Sequence, residues 1–186
     1  PMLRHVYDRV QQCKHLDQVI VATSDQKDDD KIHEYCQSRG ICVFRGDLLD
    51  VSARIRECLS SYPVDAFVRI SGDSPLIDPK LIDQMICLYQ ESNFDIVTNV
   101  SPKTFPKGQS VEVLRARTFL MAQKKMSTST EKEHVTPFFY ANQNEFNIHN
   151  VETNPDYSDV QLSIDEKIDW ENTDIALSKL GETFNW

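Results

Sequence analysis

Val68-Arg-Ile-Ser-Gly-Asp-Ser-Pro-Leu-Ile-Asp-Pro79 holds an apolar run that stops at Gly72-Asp73, followed by a helix start. The run from Ala66 to Ile70 carries too few polar residues for a half-exposed strand, which predicts a central parallel strand covered on both faces. The carboxyl end of such a strand is where open α/β sheets receive ligands. Gly72 lets the backbone turn and approach a ligand, and Asp73 adds a hard oxygen donor. On these residues alone, Asp73 fits a turn carboxylate held by backbone N–H groups as well as it fits a metal ligand. Asp78 and Pro79 have the chemistry of an N-cap and a first helical residue, and Leu81, Ile82, Met85, Ile86 and Tyr89 form the inward stripe of the helix they open.

Before this stretch, Leu3, Val6, Tyr7 and Val10 predict a helix, and Gln18 to Thr23 a buried strand ending in Thr23-Ser24-Asp25. Asp28-Asp29-Asp30 favours a solvated helix N-terminus over a metal cluster, and Gly40 supplies the stop. Ile41 to Phe44 is the next strand, followed by Arg45-Gly46-Asp47 and an amphipathic helix through Val51, Ile55 and Leu59. Beyond Tyr89 the pattern gives a strand over Phe94 to Val100, a Pro- and Lys-bearing loop over Ser101 to Gly108, and a half-exposed strand over Ser110 to Leu114 that carries Glu112. A helix over Thr118 to Met126, a polar connector, a helical stretch over Glu131 to Asn142 broken at Thr136-Pro137, and a strand over Phe146 to Val151 follow. Val160 to Ile164 reads as a last strand ending in Asp165, with a helix from about Asp169 to Leu180. Alternation of strand and helix predicts a three-layer α/β fold, a mostly parallel sheet with helices on both faces.

A chain of 186 residues with a net charge of −9 is long enough for one domain with a sizeable core. The charge argues against nucleic-acid binding, since phosphate neutralisation needs clustered Lys and Arg. Five cysteines without C-x-x-C spacing read as reduced core thiols, and no apolar run is long enough for a membrane span. The expectation is a soluble cytoplasmic protein. Asp73 and Asp165, each at a strand end, suit a hard divalent cation: Mg²⁺ takes one or two carboxylates and fills its octahedron with substrate phosphate and water. No P-loop, dinucleotide glycine fingerprint, H-E-x-x-H or nucleophile elbow suggests another mechanism. His134 fits a base, a substrate contact or, more commonly, a surface helix histidine, and Arg45 fits an anion contact or an ordinary surface arginine.

Five blocks, in order, resemble the bacterial sugar cytidylyltransferases related to spore-coat polysaccharide biosynthesis proteins and to the CMP-Kdo and CMP-sialic acid synthetases. They are Val19 to Asp25, Val43 to Asp50, Arg69 to Pro79, Phe105 to Val113, and Glu133 to Pro137. The resemblance implies a nucleotide-diphosphosugar transferase-like, Rossmann-like fold and activation of a sugar acid or sugar phosphate by CTP, giving a CMP- or CDP-sugar and pyrophosphate. It implies Mg²⁺ on Asp73 and Asp165. It places Arg45, Gly46 and Asp47 in a nucleotide-recognising loop supported by Thr23, Ser24 and Asp25, while Gly72, in the turn before Asp73, is counted among the nucleotide-binding residues. Phe105, Gly108, Glu112, Glu133 and His134 fall toward the sugar, and a homodimer is expected, with the Ser110 to Leu114 strand and its following helix at the interface.

Departures from the family pattern fall at Ser52 and Ile55, at Gln109-Ser110, and after Asp165, where Glu166-Lys167-Ile168-Asp169 replaces a usual Thr-Pro-Glu-Asp. They bear on sugar specificity and loop shape more than on metal binding. Relatives begin with a strand and a basic Gly/Ser-rich loop that holds the triphosphate, whereas this sequence starts at Pro1 in a helical pattern. The expectation is therefore one nucleotidyltransferase domain over 1–186 lacking its first strand and phosphate-binding loop. A metal-dependent glycosyltransferase of similar fold and a catalytically inactive binding module are the alternative readings; the lack of an Asp-x-Asp pair counts against the first.

Overall fold

The computed structural model describes residues 1–180 and residue 184. In chain order its regular elements are α1 (Met2–Val10), β1 (Val21–Ser24), α2 (Asp30–Ser38), β2 (Val43–Gly46), α3 (Val51–Ser61), β3 (Ala66–Arg69), α4 (Pro79–Gln90), β4 (Ile96–Thr98), β5 (Glu112–Arg115), α5 (Ala116–Gln123), α6 (Ser129–His134), α7 (Pro137–Ala141), β6 (Ile148–Asn150) and α8 (Lys167–Leu180). Short 3₁₀ turns at Lys27–Asp29 and Gln143–Glu145 complete the set. The chain divides into two compact units.

The unit made of Gln18–Phe67 and Leu114–Asn147 contains a parallel pair, β1 with β2, in which Val21 faces Val43 and Ser24 faces Gly46. Helix α3 starts where Asp50 accepts from the Ala53 N–H at 2.8 Å, as an N-cap should. Its one fully buried residue is Ser52, whose hydroxyl donates to Asp50 at 2.7 Å and accepts from Gln123 at 3.3 Å. A serine at a core position of this helix is thus satisfied by two polar partners instead of by apolar packing. Aromatic packing supplies much of the remaining core: Phe119 meets Phe67 edge-on at 5.3 Å, and Phe139 meets Phe146 at 4.9 Å between ring centres.

The unit made of Pro1–Asp17, Val68–Val113 and Ile148–Trp186 is built on α1, α4 and most of a four-stranded sheet of order β3-β5-β4-β6. Asp78 caps α4 through the Lys80 N–H at 2.8 Å, and Leu81, Ile82, Met85 and Ile86 are buried, as the sequence pattern predicts. Strands β4 and β6 run parallel, Ile96 opposite Ile148 and Thr98 opposite Asn150. Residues Asp65 and Ala116 bond through backbone while Arg69 pairs with Glu112, so β5 runs against its neighbour β3.

Three sequence expectations change here. Strand β3 ends the four-strand order instead of standing at its centre, and its residues are half-buried. Strand β5 is buried, with Glu112, Val113 and Leu114 all inside, because it lies between β3 and β4. That burial removes it as an exposed dimer surface. Val160 to Ile164 is not a strand: its one ladder contact is a parallel bridge from Gln161 to Lys107, since the segment lies along a loop and not along a strand edge. Asp165 therefore sits in the turn that opens α8, where Asp169 accepts from the Asp165 and Glu166 N–H groups at 3.0 and 2.8 Å.

Candidate active site

In the unit that carries β4, β6 and the C-terminal half of β3, the ends of these strands hold the chemistry. Asp73 lies four residues past the end of β3, and its carbonyl accepts from the Ile164 N–H at 2.9 Å. That bond joins the Asp73 turn to the residue preceding Asp165. The Ser74 hydroxyl donates to Asp73 Oδ1 at 2.8 Å, and the Gln161 amide donates to Asp165 Oδ2 at 2.8 Å. Among the described residues, the second oxygen of each carboxylate makes no hydrogen bond.

The loop after β4 is fastened to the Asp165 segment along its length. Lys107 donates through its N–H to Val160 and accepts from Leu162, both at 2.9 Å, and the Thr104 carbonyl accepts from the Tyr157 N–H at 2.8 Å. Gly108 makes the close approach possible. Its φ is +89°, and a Cβ there would meet the backbone of Leu162 and Ser163 at 2.6 Å. Behind it, the buried Gln109 donates to the Leu76 carbonyl at 2.7 Å and accepts from the Asp78 N–H at 2.9 Å, tying this loop to the start of α4. Phe105 is buried and packs inward.

Lys103, on the same loop, has its pKa lowered, first by burial and then by Lys107, while Asp73 and Asp165 oppose the shift. Lys107, Asp73 and Asp165 therefore all act on the Lys103 ammonium. Sequence reading noted the loop's lysines without assigning them to this cluster; the Lys103–Lys107 spacing was the available signal. Glu112 is buried and ion-paired with Arg69 at 2.7 Å. Gly72 stands exposed in the turn before Asp73, with open space where a Cβ would be.

The other predicted residues belong to the unit that carries β1 and β2. Thr23 and Ser24 are buried at the end of β1, and Asp25 follows them, exposed. The Arg45 guanidinium donates to the Ser24 carbonyl at 2.9 Å, the Gln26 carbonyl at 2.8 Å and Asp30 at 2.7 Å. It stitches the loop after β1 to β2. Gly46 is buried, and a Cβ there would meet the Arg54 side chain of α3 at 2.9 Å. Asp47 accepts from the Asp50 and Leu49 N–H groups, which hold its carboxyl below the usual range.

Glu133 and His134 are exposed at the end of α6. Val135, fully buried, then takes φ +69° and ψ −65°, and the Thr136 N–H closes back on the His134 carbonyl at 2.8 Å. This is a γ-turn of the strained hand on a β-branched residue, and it is what breaks the helical stretch before Pro137.

Among the described residues no group of three or more His, Cys, Asp or Glu could hold a metal. Two carboxylates with one unengaged oxygen each still fit Mg²⁺, which completes its octahedron from substrate phosphate and water. No helix among the described residues is long and apolar enough to cross a membrane.

A family model described as cytidylyltransferase matches residues 1–180. An uncharacterized protein of Methanocaldococcus jannaschii is 37% identical over 167 residues, covering 88% of this chain and 67% of that protein. The spore coat polysaccharide biosynthesis protein SpsF of Bacillus subtilis is 28% identical over 174 residues, covering 91% of this chain and 70% of the relative. The solved structure of a cytidylyltransferase from Leptospira borgpetersenii superposes with a TM-score of 0.92 at 29% identity, covering 99% of this chain and 79% of that one.

Proposed function

Because the chain belongs to the cytidylyltransferase family, we propose that it transfers a cytidylyl group from CTP to a sugar acid or sugar phosphate and releases pyrophosphate. A sugar oxygen forms a bond to the α-phosphorus as the bond from that phosphorus to the bridging oxygen breaks. Pyrophosphate takes the bridging oxygen, and a hydroxyl nucleophile releases its proton to solvent. The product is a CMP-sugar from a sugar acid or a CDP-sugar from a sugar phosphate, and polysaccharide assembly is the process that consumes such a product.

The observation that carries this reading is the bond between Ile164 and Asp73, which brings the turns bearing Asp73 and Asp165 together. Those two carboxylates would hold Mg²⁺, with Ser74 and Gln161 orienting them. When bound, the cation offsets charge on the triphosphate oxygens and helps align the displacement. Lys103 adds positive charge within the electrostatic reach of both aspartates and of Lys107. Arg45, Asp47, Thr23, Ser24, Asp25 and Gly46 form the proposed nucleotide loop, in which Arg45 acts through the loop it ties down. The family resemblance assigns Phe105 and Gly108, and separately Glu133 and His134, to sugar recognition. A homodimer in the cytoplasm completes the reading.

Pyrophosphate release from CTP and Mg²⁺, measured with a panel of sugar acids and sugar phosphates on the full-length protein, tests the proposal. Release with one sugar is the expected result. No release with any of them, together with no CTP binding by calorimetry, overturns it.

A further inference from the structure

Arg69 is the last residue of β3, and its guanidinium donates through Nη1 to Glu112 Oε2 at 2.7 Å. The two ends of this pair are unequal. The Glu112 side chain is 4% exposed and that of Arg69 is 32% exposed. Among the described residues Glu112 is the one hydrogen-bond partner of the Arg69 side chain, and none of its nitrogens is buried without a partner. The remaining N–H donors therefore face solvent. A guanidinium has five donors in a planar fork, so one spent on an internal carboxylate leaves enough for a bidentate contact with an outside anion.

The position matters as much as the exposure. Arg69 closes β3 four residues before Asp73 and pairs with Glu112 at the start of β5, where Val111 donates to Asn99 just past β4; it therefore stands at the same end of the sheet as Thr98 of β4 and Asn150 of β6, the strands from which the loops to Lys103 and Asp165 depart. From this geometry we infer that Arg69, held in place by the buried Glu112, binds an anionic oxygen, phosphate or carboxylate, of a ligand at this sheet end. Glu112 is then a positioning residue and not the sugar contact that the family resemblance implies. A buried carboxylate fixes the rotamer of a long side chain before the ligand arrives, which lowers the ordering cost on binding. The inference deepens the cytidylyltransferase reading in naming the anion's sources, the triphosphate or the sugar's own acidic group; the anion chemistry of Arg69 stands without it.

The experiment follows the Arg Nε–H signals of the full-length protein by NMR, with Arg69→Lys identifying the Arg69 signal by its loss. Inorganic phosphate and glycolate are titrated separately, before and after saturation with CTP and Mg²⁺, against sodium chloride at matched ionic strength. The expected result is a saturable shift with phosphate or glycolate and none with chloride. A shift that CTP abolishes assigns the triphosphate as the anion; a shift that persists in the CTP-saturated protein assigns the acidic group of the second substrate. Arg69→Lys keeps a cation against Glu112 but loses the fork. The pair replacement Arg69→Met with Glu112→Leu removes both charges and keeps an apolar core. In both variants, with circular dichroism unchanged, the dissociation constant for the assigned anion should rise at least about tenfold. An Arg69 signal that no anion moves, or folded variants that bind the anion as the wild type does, overturns the inference. CTP calorimetry on the same samples separates the two readings: CTP binding with a silent Arg69 sinks only the inference, and an anion-responsive Arg69 without CTP binding sinks only the cytidylyltransferase reading.

Discussion

Asp29 accepts from the Thr23 hydroxyl at 2.8 Å and from the Ser24 N–H at 2.9 Å, so the middle of three consecutive aspartates is tied to the end of β1. Hydrogen bonding, led by Ser24 and joined by Thr23, together with the charge of Arg54, outweighs the cost of burial and lowers its pKa. A carboxylate whose folded pKa is depressed contributes stability above its unfolded value, about 3.9, and loses that contribution as the pH falls through the folded value. Asp29→Asn should therefore melt lower than the wild type at neutral pH, with the gap closing below about pH 4. Thermal melts across that range check it; an equal gap at both ends counts against the assignment. Asp73 and Asp165 make a different kind of claim. Each keeps one oxygen out of internal hydrogen bonds, so Asp73→Asn and Asp165→Asn should leave circular dichroism and melting nearly unchanged. Cytidylyl transfer should fall by about 10² or more, the order of loss when a preorganised charge partner is removed. Retained turnover in either variant would show that the pair holds no catalytic cation.

Gly108 illustrates what a loop can demand of one position. Its backbone angle is costly for any side chain, and its Cβ would strike the Leu162 and Ser163 backbone, which is not a yielding neighbour. Gly108→Ala should cost about 1–3 kcal/mol in urea unfolding, the cost of a strained backbone position. Because the displaced segment carries Asp165, metal-dependent nucleotide binding should weaken more than Asp165-independent stability suggests. A variant as stable as the wild type, with unchanged binding, would mean that the segment shifts freely. The same segment explains a misread element: Val160 to Ile164 has the apolar content of a strand, but only Gln161 reaches a ladder partner. Strand content in sequence does not supply a partner edge. The break between α6 and α7 was legible at Thr136-Pro137, while the strained turn at Val135 was not, since nothing in a valine announces a positive φ.

Across the molecule, a net charge of −9 must coexist with the nucleoside triphosphate proposed as substrate. Cation binding by two carboxylates alone is weak, and triphosphate oxygens would complete the coordination sphere of the proposed cation, so metal and nucleotide should bind together. Mg²⁺ alone should barely raise the melting temperature of the full-length protein, CTP in chelator should do little, and both together should stabilise it by about 2.7 kcal/mol at a hundredfold excess over the dissociation constant. Equal CTP stabilisation with Mg²⁺ and with chelator would remove the metal from nucleotide binding.

Local chemistry was sufficient for much of this. The α/β alternation, the capped start of α4 at Asp78-Pro79, the Gly40 stop and the block order that marks the family follow from short-range preferences and spacing, which a sequence carries directly. Tertiary structure alone decided which polar groups meet. Only it placed β5 between β3 and β4, buried Glu112 against Arg69, consumed three donors of Arg45 on the end of β1 and the segment that follows it, and brought Lys103 into the field of Asp73 and Asp165. These residues lie up to 92 positions apart, Asp73 to Asp165, and electrostatic and hydrogen-bond energies depend on distance in space, which falls off too steeply for spacing along the chain to fix.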